Sequence, residues 1–188
     1  GWFRLLKLVL RELRQGLQRE LDRDGDRFAG ERSARLEAVV LVRADADVEA
    51  LEGFKVRDFV AEQLRDDDLR PIIVEDGVRF HVDLRRGQKT GFFCDQRENR
   101  RRVAEFANGR TMLDAFCYTG GFAMHALVQG AQHVTALDWD EHALELASQN
   151  ARLNGVHARW EGRHGDAFVQ LRDLARAQRT FDLIVLDP

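Results

Sequence analysis

The stretch that decides the fold is LDAFCYTGGF (Leu113–Phe122), followed after a short helical segment by HVTALD (His133–Asp138). The apolar start of the first stretch, with turn signals on both sides, predicts a strand buried on both faces. Gly120 and Gly121 then allow the backbone to pass close to a ligand, and a helix is predicted just after them, with free N–H groups facing that ligand. The second strand ends on a carboxylate, Asp138, at the spacing typical of ribose recognition. This order predicts a site for a nucleotide-like molecule.

Strand and helix signals alternate through the rest of the chain. Such alternation is typical of a parallel sheet with crossover helices, so we predict an α/β, Rossmann-like fold. The predicted strands are 111–117, 133–138, 156–161 and 181–187, and the predicted helices are 121–129, 141–153 and 166–178.

A small α+β region is predicted before this sheet. Asp95 is expected to cap a helix that ends at Asn108-Gly109. We place a domain boundary near residue 88, with a partial α+β domain in 1–88 and a cofactor domain in 89–188. The elements predicted in the first domain are a long amphipathic helix from 2 to 24, a strand at 36–42, a loop or short helix at 45–52, and a β-hairpin formed by 72–75 and 78–84 around Asp76-Gly77.

The turn that contains Gly120 and Gly121, called the glycine turn, indicates which ligand the site binds. A dinucleotide site reads G-x-G-x-x-G, but Phe116 and Tyr118 stand where the first two glycines would fall, and Gly120 remains. Bulky side chains there leave little room for a pyrophosphate. An adenosine without phosphate fits better, which points to S-adenosylmethionine. Asp138 is then expected to bind the ribose.

Three carboxylates have alternative roles. Asp138 can instead cap the helix that begins near Glu141, although its distance from the glycine turn favours ribose binding. Asp166, expected near the adenine with Ala167, can equally cap the helix that follows it. Asp114 is expected to hold backbone N–H groups of the loop and to act only indirectly on the methionine moiety.

Composition limits the class of protein. The chain has 188 residues, 44% hydrophobic and 32% charged, which is enough for a buried core. The apolar stretch near the N-terminus is interrupted by charges, so neither a membrane span nor a signal peptide is predicted. Two cysteines, Cys94 and Cys117, argue for a reducing cytoplasm. We expect both to be buried structural thiols, and no spacing suggests a metal site.

Charge is unevenly distributed. The net charge is −3, but residues 79–110 hold nine basic and four acidic residues, giving +5, against −8 for the remainder. A basic stripe beside a cofactor site is typical of a surface that binds a polyanion such as RNA. The alternative is a solvated helix face with intrahelical ion pairs, since Arg97–Arg102 and Glu98 fall in one predicted helix.

Several stretches of the chain resemble a known family. GQKTGFFCDQRENR (Gly87–Arg100), LDAFCYTGGF and FDLIVLDP (Phe181–Pro188) resemble bacterial class I methyltransferases that methylate 23S ribosomal RNA at cytosine C5. VRADADVEALEGF (Val42–Phe54) and EDGVRFHVDL (Glu75–Leu84) extend the similarity, which covers residues 38–188. The family's N-terminal PUA-type RNA-binding domain has no counterpart here.

The resemblance implies roles for single residues. In the family the segment around Phe92-Phe93 lies over the cofactor, so Thr90 and Gln96 are expected to help close the pocket. Asp187 begins the substrate loop, and the catalytic cysteine is expected beyond Pro188, in a chain truncated at both ends. The expected RNA contacts are Lys89, Arg97, Arg100 and Arg101. The expected cofactor contacts are Thr90, Gln96, Asp114, Phe116, Tyr118, Thr119, Gly120, Gly121, Asp138, Trp139, Asp166, Ala167 and Asp187.

The sequence is compatible with two other functions. A guanine N-methyltransferase acting on the same RNA has a similar glycine turn and needs no cysteine nucleophile. A module without enzymatic activity that binds RNA or a partner through the basic stripe is the second alternative. Ribosomal RNA is the expected partner, without membrane or metal, and a homodimer of the full-length protein is left open.

Overall fold

The computed structural model describes residues 69–188, together with Gln15 and Arg19, which are helical. The rest of the predicted helix at 2–24, the strand at 36–42 and the segment 45–52 lie outside the described residues. Within the described part of the chain, no helix is both long enough and apolar enough to cross a bilayer.

The predicted hairpin is present. Strands β1 (Ile72–Glu75) and β2 (Val78–His81) pair antiparallel, with Ile72 opposite His81. Asp76 and Gly77 both have positive φ angles, 50° and 84°, as a two-residue hairpin turn of matching twist requires. β2 ends earlier than the predicted residue 84, although Val82 N–H still donates to the Pro71 carbonyl at 3.0 Å.

Twelve residues without helix or strand, 82–93, follow the hairpin. A single 3₁₀ turn (Cys94–Gln96) leads into α1 (Arg97–Ala107). Asp95 was predicted to cap this helix, and that prediction is wrong because Gln96 occupies the N-cap position and no side chain makes a capping hydrogen bond. The Asp95 carboxylate instead lies 3.5 Å from Nζ of Lys89.

The predicted parallel sheet has four strands, and helices separate them in sequence, which confirms the predicted α/β alternation. The sheet unit consists of β3 (Thr111–Ala115), α2 (Gly121–Val128), β4 (His133–Asp138), α3 (Glu141–Leu153), β5 (Trp160–His164), α4 (Ala167–Arg176) and β6 (Leu183–Leu186). The strands lie in the order β5-β4-β3-β6.

One strand is shifted from its predicted position. Residues 157–159 form a 3₁₀ turn, and β5 begins at Trp160 rather than at residue 156. The ladder explains the shift, because Val134 pairs with Trp160 and Asp138 pairs with His164. β5 therefore extends as far as His164, which lies beside Asp138 at the end of β4.

The hairpin packs on the helices of the sheet unit. Phe80 is fully buried in the same core as Met112 and Met124. The buried Asn150 of α3 accepts a hydrogen bond from His81 N–H through Oδ1 (2.7 Å) and donates to the Thr119 carbonyl through Nδ2 (3.1 Å). One amide thus ties the hairpin to the glycine turn. The division of the whole chain near residue 88 stays a prediction.

Candidate functional site

A cavity of about 500 Å³ opens at the carboxyl end of the parallel strands, the edge at which ligands bind in open α/β sheets. Its volume lies in the range of small-molecule sites. It is lined by Gln88, Lys89, Phe92, Phe93, Asp95, Gln96, Arg100, Phe116, Cys117, Tyr118, Thr119, Gly121, Phe122, Asp138, Asp187 and Pro188.

The glycine turn forms one wall of this cavity. Gly120, with φ at 80°, is the N-cap of α2. A Cβ there would meet Met124 Cε and Ala147 Cβ at 3.2 Å, so a side chain is strained as well as crowded. Phe116 and Tyr118 also have left-handed backbones, with φ angles of 63° and 49°.

Asp138 closes the turn from the neighbouring strand. Its Oδ2 accepts a hydrogen bond from Tyr118 N–H at 2.6 Å, and its Oδ1 accepts from Asp140 N–H at 2.9 Å. The helix cap is Asp140, whose side chain accepts from Ala143 N–H at 3.1 Å. Asp138 lines the cavity, and each of its oxygens keeps capacity for one more donor.

Asp114 lies beneath the turn and is 1% exposed. Its Oδ2 accepts from Ala123 N–H at 3.0 Å, as expected for a carboxylate that holds backbone N–H groups, while Oδ1 has no hydrogen-bond partner among the described residues. Burial is the main cause that raises the pKa of Asp114 to about 7, and the negative charges of Asp138 and Asp187 act in the same direction, while the hydrogen bond from Ala123 N–H opposes the shift. The carboxyl group is poised to titrate near neutral pH.

Residues 84–93, the last ten residues between β2 and the 3₁₀ turn, are called the linker. Its Gln88 N–H donates to the hydroxyl of Tyr118 at 2.8 Å, and that hydroxyl lies 3.4 Å from the Gly91 carbonyl. The ring of Phe93 meets Tyr118 edge-on at 5.3 Å. The linker is therefore attached to the glycine turn through the side chain of Tyr118.

A buried ion pair supports the opposite wall. Arg100 is 3% exposed, and its Nε and Nη2 donate to the two oxygens of Glu75 at 2.7 and 2.9 Å. Glu75 Oε1 also lies 3.1 Å from Nε2 of His125, whose pKa is lowered by burial. The guanidinium stacks over Phe92 at 4.5 Å. Arg100 was predicted to contact RNA at the surface, but its burial and its pairing with Glu75 give it a structural role instead.

The predicted cofactor residues do not all line the cavity. Phe116, Tyr118, Thr119, Gly121, Asp138, Asp187 and Gln96 do. Asp166 caps α4 by accepting from Val169 N–H at 2.9 Å, which is the alternative role left open for it. Trp139 is 71% exposed beside His164. Asp114, Gly120, Ala167 and Thr90 also lie outside the lining, and the Thr90 hydroxyl donates to the Phe92 carbonyl.

The two cysteines differ. Cys117 is buried, and burial raises the pKa of its thiol well above the ordinary value, so it is a neutral structural thiol as predicted. Cys94 was also expected to be buried, but it is exposed because the 3₁₀ turn that holds it has no buried face. Among the residues that the structure describes, no three His, Cys, Asp or Glu side chains cluster as metal ligands.

Several residues of the site were not predicted from the sequence. Gln88 and Phe122 line the cavity, and Glu75 supports it from the hairpin. A resemblance that placed residues 87–100 near the cofactor was the only signal for Gln88. No periodicity pairs Glu75 with an arginine 25 positions later.

Known proteins are similar to this chain in sequence and in fold. The model of the S-adenosylmethionine-dependent methyltransferase family matches residues 45–188. Ribosomal RNA large subunit methyltransferase I of Aeromonas hydrophila is 40% identical over 155 residues, which cover 81% of this chain and 38% of that protein. A ribosomal RNA large subunit methyltransferase of Deinococcus radiodurans is 45% identical over 118 residues, 61% of this chain and 28% of the relative. The chain thus spans well under half the length of these relatives.

Solved structures agree. A crystal structure described as that of a methyltransferase complexed with S-adenosylhomocysteine superposes with a TM-score of 0.60 at 30% identity, covering 64% of this chain and 32% of the other. An S-adenosylmethionine-dependent methyltransferase from Agrobacterium tumefaciens gives 0.61 at 24% identity over 68% and 41%, which supports the fold. The resemblance inferred from the sequence is confirmed at this level, and the chain belongs to the S-adenosylmethionine-dependent methyltransferase family.

Proposed function

We propose that this chain forms the cofactor-binding part of a methyltransferase that acts on large-subunit ribosomal RNA, with cytosine C5 of 23S rRNA as the target. The observation that carries the proposal is the cavity itself, where the glycine turn, Asp138 and Asp187 meet. The names of the relatives, which match four-fifths of the chain, support the RNA substrate. The cytosine target rests on the resemblance of Gly87–Arg100.

The residues present fit S-adenosylmethionine. Asp138 keeps lone pairs for the ribose hydroxyls while its bonds to Tyr118 and Asp140 N–H hold it in place. Phe116 and Tyr118 fill the space that a pyrophosphate would need. When bound, the cofactor supplies an electrophilic methyl group. The chain's own contribution is orientation, because a fixed pocket removes much of the entropic cost of an in-line approach.

Cytosine C5 methylation requires a thiolate that adds to C6 of the base. Cys117 does not suit this role, because its buried thiol has a raised pKa. We therefore assign the nucleophile to the part of the family's sequence that follows the Asp187-Pro188 step. The role of this chain is to bind the cofactor, and Asp138 is the main residue that contacts it.

Deletion of the gene that encodes this chain tests the proposal. Mass spectrometry of 23S rRNA from the deletion strain should show the loss of one 5-methylcytidine, restored by the intact gene. Complementation with Asp138→Asn should fail or be strongly reduced, whereas Glu105→Gln, an exposed change on α1, should restore the modification. Loss of an N-methylguanosine instead would replace the cytosine assignment, and an unchanged rRNA would refute the proposal.

Calorimetry with S-adenosylhomocysteine tests the cofactor site separately. Loss of a charge-assisted hydrogen bond in Asp138→Asn should weaken binding about 10- to 100-fold. RNA binding without any heat from the cofactor analogue in the unaltered protein would favour a module without enzymatic activity.

A further inference from the structure

Two asparagines at the end of α3 hold the outer edge of the hairpin. Asn154, the C-cap of α3, accepts from Arg79 N–H through Oδ1 at 2.9 Å and donates to the Arg79 carbonyl through Nδ2 at 2.7 Å. One turn earlier in the helix, Asn150 accepts from His81 N–H at 2.7 Å. The two side chains therefore pair with the backbone of β2 much as a neighbouring strand would, and they dock the hairpin on α3.

Asn150 differs from Asn154 in its other contacts. Asn150 is fully buried, whereas Asn154 is partly exposed. The Nδ2 of Asn150 donates to the Thr119 carbonyl at 3.1 Å, and the buried Thr119 lines the cavity. The second contact of Asn154 is instead with its own helix, at the Asn150 carbonyl. Because a buried amide without its partners is costly, Asn150 holds the hairpin and the cavity wall together.

The glycine turn also rests on α3 through a close packing contact. Ala147, which lies three residues before Asn150 on the same face of the helix, is fully buried. A Cβ on Gly120 would lie 3.2 Å from Cβ of Ala147 and 3.8 Å from its Cα. Movement of the Thr119 carbonyl away from Asn150 would therefore displace Gly120 from this contact, and with it the adjoining Gly121, which lines the cavity.

We propose that Asn150 is a positioning residue for the cofactor, through which docking of the hairpin on α3 and binding of S-adenosylmethionine stabilise each other. The inference rests on the proposed function and adds a residue outside the cavity that sets the geometry of its wall. The effect must be reciprocal. A bound cofactor fixes the Thr119 carbonyl and thereby Asn150 and the His81 N–H, and a docked hairpin keeps the glycine turn in the geometry that binds the cofactor.

Hydrogen exchange of the unaltered protein, expressed from its complete gene, tests this coupling without any substitution. His81 and Arg79 both donate their N–H from β2 to an asparagine of α3, but only the acceptor of His81 also contacts the glycine turn. Saturating S-adenosylhomocysteine should slow exchange of the His81 amide about tenfold, the equivalent of one net hydrogen bond, and that of Arg79 less than about twofold. Equal slowing at both amides, or none at His81, would overturn the inference.

Alanine substitutions of the two asparagines give an independent test in methyl-transfer assays on an unmodified 23S rRNA transcript. Asn150→Ala should raise KM for S-adenosylmethionine about tenfold and leave kcat within about twofold, because the glycine turn binds the cofactor equally in the ground state and the transition state. Asn154→Ala, the matched control, should leave KM within about twofold. The hairpin keeps the core packing of Phe80 in both variants.

A purely structural role of Asn150 predicts a different kinetic result. Fewer folded molecules would lower the apparent kcat of Asn150→Ala without changing KM, and that result, or equal changes of KM in the two variants, would contradict the coupling. Circular dichroism shows whether each variant folds, and the exchange experiment decides alone if Asn150→Ala does not. Failure of the unaltered protein to bind S-adenosylhomocysteine or to methylate the transcript would instead refute the proposed function.

Discussion

Replacement of Arg100 by alanine should destabilise the protein more than any change to the exposed arginines of α1. The side chain is 3% exposed and makes a bidentate pair with Glu75, which is itself 8% exposed. Its removal leaves a buried carboxylate with the neutral His125 as its remaining partner in this cluster. Removal of one partner of a buried ion pair typically costs about 3–5 kcal/mol.

The substitution should also weaken cofactor binding. The guanidinium stacks on Phe92 and its Nη2 donates to the Phe93 carbonyl at 3.0 Å, and both aromatic residues line the cavity. A Cβ on Gly121 would lie 3.1 Å from Cδ of Arg100, so this side chain also supports the glycine turn. We expect a severalfold loss of affinity for S-adenosylhomocysteine in Arg100→Ala.

Urea unfolding followed by circular dichroism measures the stability change. Arg101→Ala is the matched control, because Arg101 lies on the same helix and its partners Glu98 and Glu105 are exposed. Its unfolding midpoint should move little. Arg100→Lys, which keeps the charge and loses the bidentate geometry, should fall between the two. An unfolding free energy for Arg100→Ala within about 1 kcal/mol of the unaltered protein would refute the argument that the pair is buried and uncompensated.

Three further outcomes are expected. Tyr118→Phe removes the hydroxyl that accepts from Gln88 N–H, so hydrogen exchange at Gln88 should accelerate without a change in circular dichroism; unchanged exchange would contradict the attachment of the linker. Since the pKa of Asp114 is raised to about 7, its protonation stabilises the folded state at low pH, and this contribution is lost as pH rises through 7. The unfolding free energy of Asp114→Asn, taken relative to that of the unaltered protein, should therefore rise by up to about 4 kcal/mol between pH 4 and pH 8. A difference in unfolding free energy that does not change with pH would argue against the raised pKa. A thiol reagent followed by peptide mapping should modify Cys94 in the native protein and Cys117 only after denaturation, and early modification of Cys117 would show that it is accessible.

Much of the fold follows from local patterns. Apolar runs predicted β3 and β4, because these two strands are buried on both faces and such burial leaves a distinct signature. The start of β5 was missed because residues 157–159 continue the connection as a 3₁₀ turn. Its register is set by the neighbouring strand, through the pairing of Asp138 with His164, and not by its own sequence.

The burial of individual charged residues could not be predicted from the sequence. Arg97 and Arg100 lie three positions apart in one basic run, yet one pairs with Asp76 at the surface and the other with Glu75 in the interior. Which arginine is buried depends on how the hairpin packs against α1, a contact between segments that are distant in sequence. A count of charges over 79–110 gives the sign of the region but not which charges remain exposed.

The aromatic residues of the glycine turn, Phe116 and Tyr118, make contacts in the structure that the sequence did not predict. Their bulk alone predicted that a pyrophosphate is excluded. The backbone nevertheless keeps the left-handed conformation at both Phe116 and Tyr118, which costs a residue other than glycine about 1–2 kcal/mol. Glycine would adopt this turn without that cost, so the compensation comes from the side chains. Phe116 packs edge-on against Phe168 at 6.1 Å, and the hydroxyl of Tyr118 holds the linker. The strain of the turn is thus offset by the contacts that build the cavity wall and attach the linker to it.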